Sequence, residues 1–311
     1  MDNFKGKTAF ITGGASGIGL ALAKVCGREG MNLVIADLRQ EAIDEAVQVL
    51  KDYPVLAVKL DVTDRAAYEK AAADAQAKFG NIHLLVNNAG IGCGRGPLWE
   101  VSYAQTDVAI DINLTAVLSG IQIIVPHMLK HGEGGHIVST ASKAALIAVP
   151  ACGLYNLTKQ ALISMTETLV SDLQGTNVGA SVFLPGPFKS SLGESSGKIE
   201  TEFLGRHAAP PPAPPSAPPP PSNAQRPNFE EFAKHTRPAE DAGERIINGV
   251  KRGDIYIITH SEFKDGFKER ADAMLRAFPD EVPSEDFKKL FSFLVHNPIF
   301  EKQTSVPGVK K

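Results

Sequence analysis

The chain has 311 residues, enough for one large α/β domain with additions. Its composition, 43% hydrophobic and 22% charged, is that of an ordinary soluble globule, and a net charge of −3 gives no electrostatic case for nucleic acid or an anionic membrane as partner. Three scattered cysteines, Cys26, Cys93 and Cys152, with no C-x-x-C and no Cys/His ligand set, argue against a disulfide framework and against a metal site.

Met1-Asp2-Asn3-Phe4-Lys5 leads straight into an apolar run at Thr8 to Ile11, leaving no room for a signal peptide. No apolar run is long enough to span a bilayer, so a cytoplasmic location is expected. The run at 8–11 has a buried-strand signature. Thr12-Gly13-Gly14-Ala15-Ser16-Gly17-Ile18-Gly19 follows, and then the helical pattern Leu20-Ala21-Leu22-Ala23-Lys24-Val25. Strand, glycine turn and helix form the context in which such a motif cradles a dinucleotide pyrophosphate: glycines let backbone approach the ligand, and the helix N-terminus offers free N–H groups. A second strand, 32–36, ends at Asp37. A carboxylate there accepts hydrogen bonds from ribose hydroxyls and repels a 2′-phosphate, which favours NAD over NADP; the nearby Arg39 pulls the other way, and Asp37 also suits a helix N-cap.

Further strands are expected near 55–60, 83–86, 135–140, 179–184 and 255–259, alternating with amphipathic helices up to Pro185. That alternation predicts a doubly wound parallel α/β sheet, a Rossmann fold, with chemistry gathered at the carboxyl ends of its strands. Tyr155 and Lys159 lie four residues apart in a helical run, on one face. A phenol is a poor base near neutral pH, and an adjacent ammonium draws its pKa down, so this pair is a candidate acid/base for a proton on oxygen.

After Pro187 the character changes. Residues 189–202 are rich in Ser, Gly and Glu, and 208–221 is dominated by proline, a run that excludes helix and sheet and suits an extended spacer or, alternatively, an SH3-type ligand. A helix is expected at 239–250, and two more at 261–277 and 284–295 beyond the last strand. In the last of these Phe287, Leu290, Phe291 and Leu294 form an apolar face, suited to packing on the body or a partner subunit, or to shaping a substrate pocket.

With these pieces the chain resembles the short-chain dehydrogenase/reductase family from Phe4 to about Thr259. Four more features carry the resemblance: Asp61-Val62 closing a strand, Asn87-Asn88-Ala89-Gly90 after Leu84-Leu85-Val86, Asn113 in Ile112-Asn113-Leu114, and Ser142 thirteen residues before Tyr155. Pro185-Gly186 after Ala180 to Leu184 matches the strand end beside the nicotinamide. The resemblance implies that Asn113, Ser142, Tyr155 and Lys159 are catalytic. It also implies that Gly13, Ser16, Gly17, Ile18, Gly19, Asp37, Asp61, Val62, Asn88, Ala89, Gly90, Tyr155, Lys159, Pro185, Gly186 and Phe188 border the cofactor, NAD in preference to NADP. In the roles so implied, Ser142 bonds the substrate oxygen and Tyr155 exchanges its proton. Lys159 holds the nicotinamide ribose and lowers the Tyr155 pKa, and Asn113 holds a water that relays protons.

The sequence departs from the family at Ala141, Lys143 and Phe188. Lys143 either brings charge to the site mouth or snorkels to solvent. By the same resemblance, 1–260 forms the catalytic domain, 187–237 the substrate lid containing the proline run 208–221, and 261–311 a helical C-terminal extension. A small-molecule alcohol or ketone substrate and a homodimer or homotetramer are implied. The extended C-terminus is similar to a subgroup that includes Cα-dehydrogenases of bulky benzylic alcohols; steroid, polyol and 3-hydroxyacyl substrates stay open. Trp99 and Phe188 are candidates for an aromatic pocket or for core. A redox-sensing binding module and a non-redox isomerase or cyclase are the competing classes, and the presence of Tyr155 and Lys159 favours the dehydrogenase.

The proline run offers no buried apolar face and few backbone donors. Replacing residues 210–221 by a short Gly/Ser linker is expected to move the melting temperature by less than about 4 °C, the equivalent of about 1 kcal/mol in a chain of this size. Calorimetry of the deletion checks this, and a collapse of the transition would show that the segment docks on the body.

Overall fold

The computed structural model describes residues 1, 3–94, 96–189, 192–205 and 234–304, with backbone alone at 192–195 and 293–294. The proline run 208–221 lies outside the described residues. Among them, seven strands form one parallel sheet in the order β3-β2-β1-β4-β5-β6-β7. The strands are β1 (Thr8–Thr12), β2 (Asn32–Asp37), β3 (Val55–Lys59), β4 (Ile82–Asn87), β5 (Gly135–Thr140), β6 (Val178–Leu184) and β7 (Tyr256–Ile258). Each falls within two residues of its expected place.

Alternate residues of the strands feed two apolar layers, as the strand period of two requires. Ala9 and Ile11 of β1 and Leu33 and Ile35 of β2 join one layer, with Leu22 of α1 (Gly17–Arg28), Ile43 of α2 (Gln40–Val49) and Ile246 of α7 (Ala239–Arg252). Phe10, Val34 and Ala36 join the other. There they meet Tyr68 of α3 (Arg65–Phe79), Ile124 of α4 (Tyr103–His131) and Val170 of α5 (Gly153–Asp172). Phe10 stacks on Tyr68, with ring centroids 5.7 Å apart. Strand order reverses at β1, whose neighbours are β2 on one side and β4 on the other. A crevice opens outside the strand ends at such a switch point.

Helix α4 departs from expectation. Its helical segments run end to end over 29 residues, long and apolar enough by length and composition to cross a membrane, whereas no such run was expected. In the fold 56% of its most apolar window is buried, against strands and helices of the body, and a π-helical turn at Asp111–Thr115 interrupts it. Its apolarity is accounted for by that packing.

The extension beyond β7 is helical, as expected, with different breaks. A 3₁₀ turn, Ser261–Phe263, leads into α8 (Lys264–Arg276), and the last expected helix is split at Phe291 into α9 (Glu285–Leu290) and α10 (Ser292–Val295). Phe287 and Leu290 are exposed, so in this chain they do not pack on the body; the Leu294 side chain lies outside the described residues. Residues further on return to the sheet: Gln303 Oε1 accepts the Tyr256 N–H at 2.8 Å, and Thr304 Oγ1 donates to Asp254 Oδ1 at 2.5 Å.

His136 on β5 is fully buried, and Ser181 Oγ lies 2.7 Å from its Nε2 while donating onward to the Asp254 carbonyl. Burial pushes its pKa down to about 3. The folded chain therefore keeps His136 neutral, whereas the unfolded chain protonates it below its ordinary value near 6.5. This contribution to stability is present above that pH and is lost as pH falls from 6.5 toward 3, by about 1.4 kcal/mol per unit. Urea unfolding from pH 7 to 5 is expected to show it, and His136→Gln, which does not titrate, should flatten the pH dependence.

Candidate active site

The glycine turn leaves β1 with Gly13 at φ 61° and Gly17 at φ 50°, a backbone open mainly to glycine. Gly19 is required for a different reason. A Cβ there would stand 2.1 Å from the Gly13 carbonyl oxygen, so only glycine lets the helix close on the turn. Ser16 is the N-cap of α1, yet its side chain makes no capping bond, leaving the first-turn N–H groups without a side-chain cap. That is the arrangement a pyrophosphate requires. The turn is braced from β4. Thr12 Oγ1 accepts the N–H groups of Asn88 and Ala89, at 3.0 and 3.1 Å, and the Asn88 amide donates to the carbonyls of Thr12 and Gly13.

At the end of β2, Asp37 is buried to 8% exposure and accepts the backbone N–H of Ala15 (3.3 Å) and of Arg39 (3.2 Å). Its carboxylate thus serves the loop as well as facing the crevice, and the N-cap of α2 is Arg39 instead. The Arg39 guanidinium lies 3.7 Å from Asp37 and donates to Ser16 Oγ at 2.9 Å, closing the three residues into one polar edge.

Asn113 sits in the π-helical turn, fully buried. Its Oδ1 accepts the Ile91 N–H at 2.8 Å and its Nδ2 donates to the Ile91 carbonyl at 2.9 Å and to Thr158 Oγ1 at 3.3 Å. The widened turn therefore ties the tail of β4 to α5, the helix that carries Tyr155 and Lys159. Gly90 makes room: a Cβ there would come 3.0 Å from Asn113 Oδ1 and 3.2 Å from Lys159 Nζ.

Ser142 follows β5 and caps the 3₁₀ turn Lys143–Ala145, its Oγ accepting the Ala144 N–H at 3.2 Å. Lys159 is 4% exposed, donates to the Thr140 carbonyl at 2.9 Å, and is pulled down by burial to about 8. The Tyr155 pKa is raised, by burial first, with a hydrogen bond to Ser142 working in the opposite direction. The sequence led us to expect the lysine to lower the phenol. In the folded chain burial wins on the phenol, and the ammonium, 5.8 Å from the ring centroid, is itself driven toward its neutral form by its own burial.

Gly13, Gly17, Asp37, Arg39, Tyr155 and Lys159 line one crevice, about 1050 Å³ counted with the space open to solvent, while Thr12, Asn113 and Ser142 are not among its lining residues. Its wall runs from Gly13, Ser16, Gly17 and Ile18 past Asp37, Asp61 and Val62 to Asn88, Ala89, Gly90, Tyr155, Lys159 and Pro185. The short chain dehydrogenase family profile matches residues 7–200. The chain is a short-chain dehydrogenase. Over 278 residues it is 32% identical to the C alpha-dehydrogenase of a Sphingobium strain, covering 88% of this chain and 87% of that one. A short chain dehydrogenase/reductase from Burkholderia phymatum, solved in complex with NAD, superposes with a TM-score of 0.76 at 31% identity, covering 91% of this chain and all of that one (100%). Cofactor-free LigO from Sphingobium matches at TM-score 0.70 and 28% identity, over 97% of this chain and 95% of its own. The dehydrogenase is accordingly an oxidoreductase that acts on CH–OH groups.

Several expected residues stand behind the crevice wall. Gly19, Asn113, Ser142, Gly186 and Phe188 are absent from it: Gly186 lies against the His260 ring, which a Cβ would strike, and Phe188 is buried in the core with that ring edge-on at 5.4 Å. Trp99 is 75% exposed on a 3₁₀ turn and does not line the crevice, whereas Phe203 of α6 (Leu192–Leu204), a residue with no motif to announce it, joins Tyr155 in its aromatic lining. Thr12 was missed as well, although its place between strand and first glycine was a usable signal. The three cysteines are free thiols. Among the described residues one group, His83, His131 and Glu133, brings metal-ligand atoms together. His83 Nδ1 accepts the Thr8 N–H while Nε2 meets Glu133, and His131 Nδ1 accepts the Glu133 N–H while Nε2 meets the Ile82 carbonyl. Both rings are spent on both nitrogens, and a metal would have to displace those bonds.

Asn113→Leu is expected to leave the buried Ile91 N–H and carbonyl without partners, costing about 2–5 kcal/mol. Denaturant unfolding checks this.

Proposed function

We propose that the dehydrogenase uses NAD to interconvert a secondary alcohol and its ketone, and that its substrate is a bulky benzylic alcohol. The observation that carries the reading is that Tyr155 and Lys159 line the same crevice as the Asp37 carboxylate, with Ser142 hydrogen-bonded to Tyr155 beside it. The uncapped first turn of α1 and the glycine cradle suit the pyrophosphate, and Asp37 suits the ribose hydroxyls. Arg39 is already engaged with Asp37 and Ser16, which supports NAD over NADP. When bound, the nicotinamide supplies the hydride acceptor or donor and, oxidised, a positive charge.

The chain's own residues handle the proton and the geometry. Ser142 donates to the substrate oxygen and holds the carbinol in place. Tyr155 takes the hydroxyl proton in oxidation and returns it in reduction. Its raised pKa means that the phenolate needs a positive neighbour, and Lys159 is the cation available. Because burial has brought Lys159 down to about 8, it parts with its proton more readily than an ordinary lysine. Asn113 works chiefly as the anchor of this face, since its amide is taken up by Ile91 and Thr158. The likeness to the C alpha-dehydrogenase and the apolar contribution of Ile199 and Phe203 support a bulky aromatic substrate.

Purified protein mixed with NAD or NADP and a panel of secondary alcohols, benzylic ones included, tests the reading through the reduced-nicotinamide absorbance. Turnover with benzylic alcohols and a higher kcat/KM for NAD are expected; preference for NADP would mean that Arg39 outweighs Asp37. Tyr155→Phe should bind cofactor nearly as well and lose about 10²-fold or more in turnover. A variant keeping more than about a tenth of the rate would contradict proton transfer by this phenol.

A further inference from the structure

The helical extension lies outside the family match, and α8 has no fully buried residue, so apolar packing alone does not explain where it docks. Three of its contacts converge on one short target. Phe263 lies under the Lys143 ammonium, which stands 4.8 Å from the ring centroid. Gly266 faces the Ile147 side chain so closely that a Cβ would be 3.0 Å from its Cδ1. Arg270 Nη1 donates to the carbonyls of Ala145 and Leu146, at 3.3 Å each. Positions 263, 266 and 270 are spaced by three and four, one helical face, and all three are half-buried.

The target is the turn that begins at Ser142. Ala145 N–H donates to the Ser142 carbonyl at 2.9 Å, and the N–H groups of Leu146 and Ile147 close on the Lys143 carbonyl at 2.9 and 3.3 Å. Lys143 N–H ties the front of the turn to the Pro185 carbonyl at 2.9 Å. A single 3₁₀ turn has poor hydrogen-bond geometry and little stability of its own. The Ala145 and Leu146 carbonyls lie at its far end, where no further turn supplies donors. Arg270 supplies a charged donor to both.

We propose that Arg270 is a positioning residue for the reaction: by clamping the far end of the 143–147 turn it fixes the stance of Ser142 Oγ beside the Tyr155 hydroxyl. The proposal rests on the reading of Ser142 and Tyr155 as the reacting pair. Ser142 Oγ already depends on the turn through its bond from Ala144 N–H, so a turn that shifts carries the hydroxyl with it. The helical extension thereby acts on the site from behind without lining it.

Arg270→Met keeps the aliphatic stem and removes the donors; Arg270→Lys keeps the charge but loses the forked guanidinium. Two readouts separate the outcomes. Hydrogen exchange on peptides spanning 141–149, without substrate, is expected to rise about tenfold in R270M while β5 exchanges as before. Steady-state kinetics with NAD and 1-phenylethanol, or the best alcohol of the panel, should show kcat falling about tenfold at nearly unchanged KM for NAD, with R270K recovering part of both losses. Unchanged exchange overturns the clamp, and raised exchange with wild-type kcat overturns its role in the reaction. Should R270M not fold, R270K alone decides: a kcat loss of about threefold is expected, and wild-type kcat overturns the proposal. A wild-type chain that turns over no secondary alcohol sinks the activity reading instead, and the exchange data still decide whether Arg270 holds the turn.

Discussion

Where β1 and β4 part company at their carboxyl ends, backbone groups leave the sheet ladder and must find other partners or remain costly. The Thr12 hydroxyl and the Asn88 amide solve this locally, one accepting two N–H groups and the other donating to two carbonyls. The rest of the site hangs from that knot. It holds the glycine turn against the β4 tail, the tail presents Ile91 to Asn113, and Asn113 reaches Thr158 on the helix of Tyr155 and Lys159. Fixed backbone on both sides of the crevice is what lets a few side chains meet a ligand without rearranging.

Burial sets the electrostatics of this arrangement. Desolvation disfavours charge on Tyr155 and on Lys159 alike, raising one and lowering the other. In the reading proposed above, a phenol that resists ionisation would hold its proton until a cation stood beside it, so that the base would be drawn out by the loaded site and not by bulk pH alone. A solvent-exposed pair at the same helical spacing would sit near the ordinary values and lack that dependence.

The architecture was legible because strand and helix patterns are local: alternation of apolar runs with amphipathic helices placed every strand within two residues. Gly13, Gly17, Asp37, Tyr155 and Lys159 were legible because each belongs to a motif with fixed spacing, and the structure puts them on one wall. What was not legible depends on tertiary direction. Phe188 is buried in the core, edge-on to the same His260 ring that fills the space beside Gly186. Asn88 turned out to be a brace, and Arg270 and Phe203 act at a distance in sequence from every motif. How strongly burial acts on Tyr155 was not legible either, because spacing shows proximity to a lysine but carries no measure of how dry the surroundings are.

Strand β7 is only three residues long and lies at the margin of the sheet, where an open row of amides invites a foreign strand. The Gln303 side chain takes the Tyr256 amide, and Thr304 fastens to Asp254, so the returning C-terminal segment lies along that margin like a hem. A neighbouring strand arriving there finds the Tyr256 amide already claimed, so the hem removes one of the few backbone donors that this short strand could offer to sheet growth from one molecule into the next.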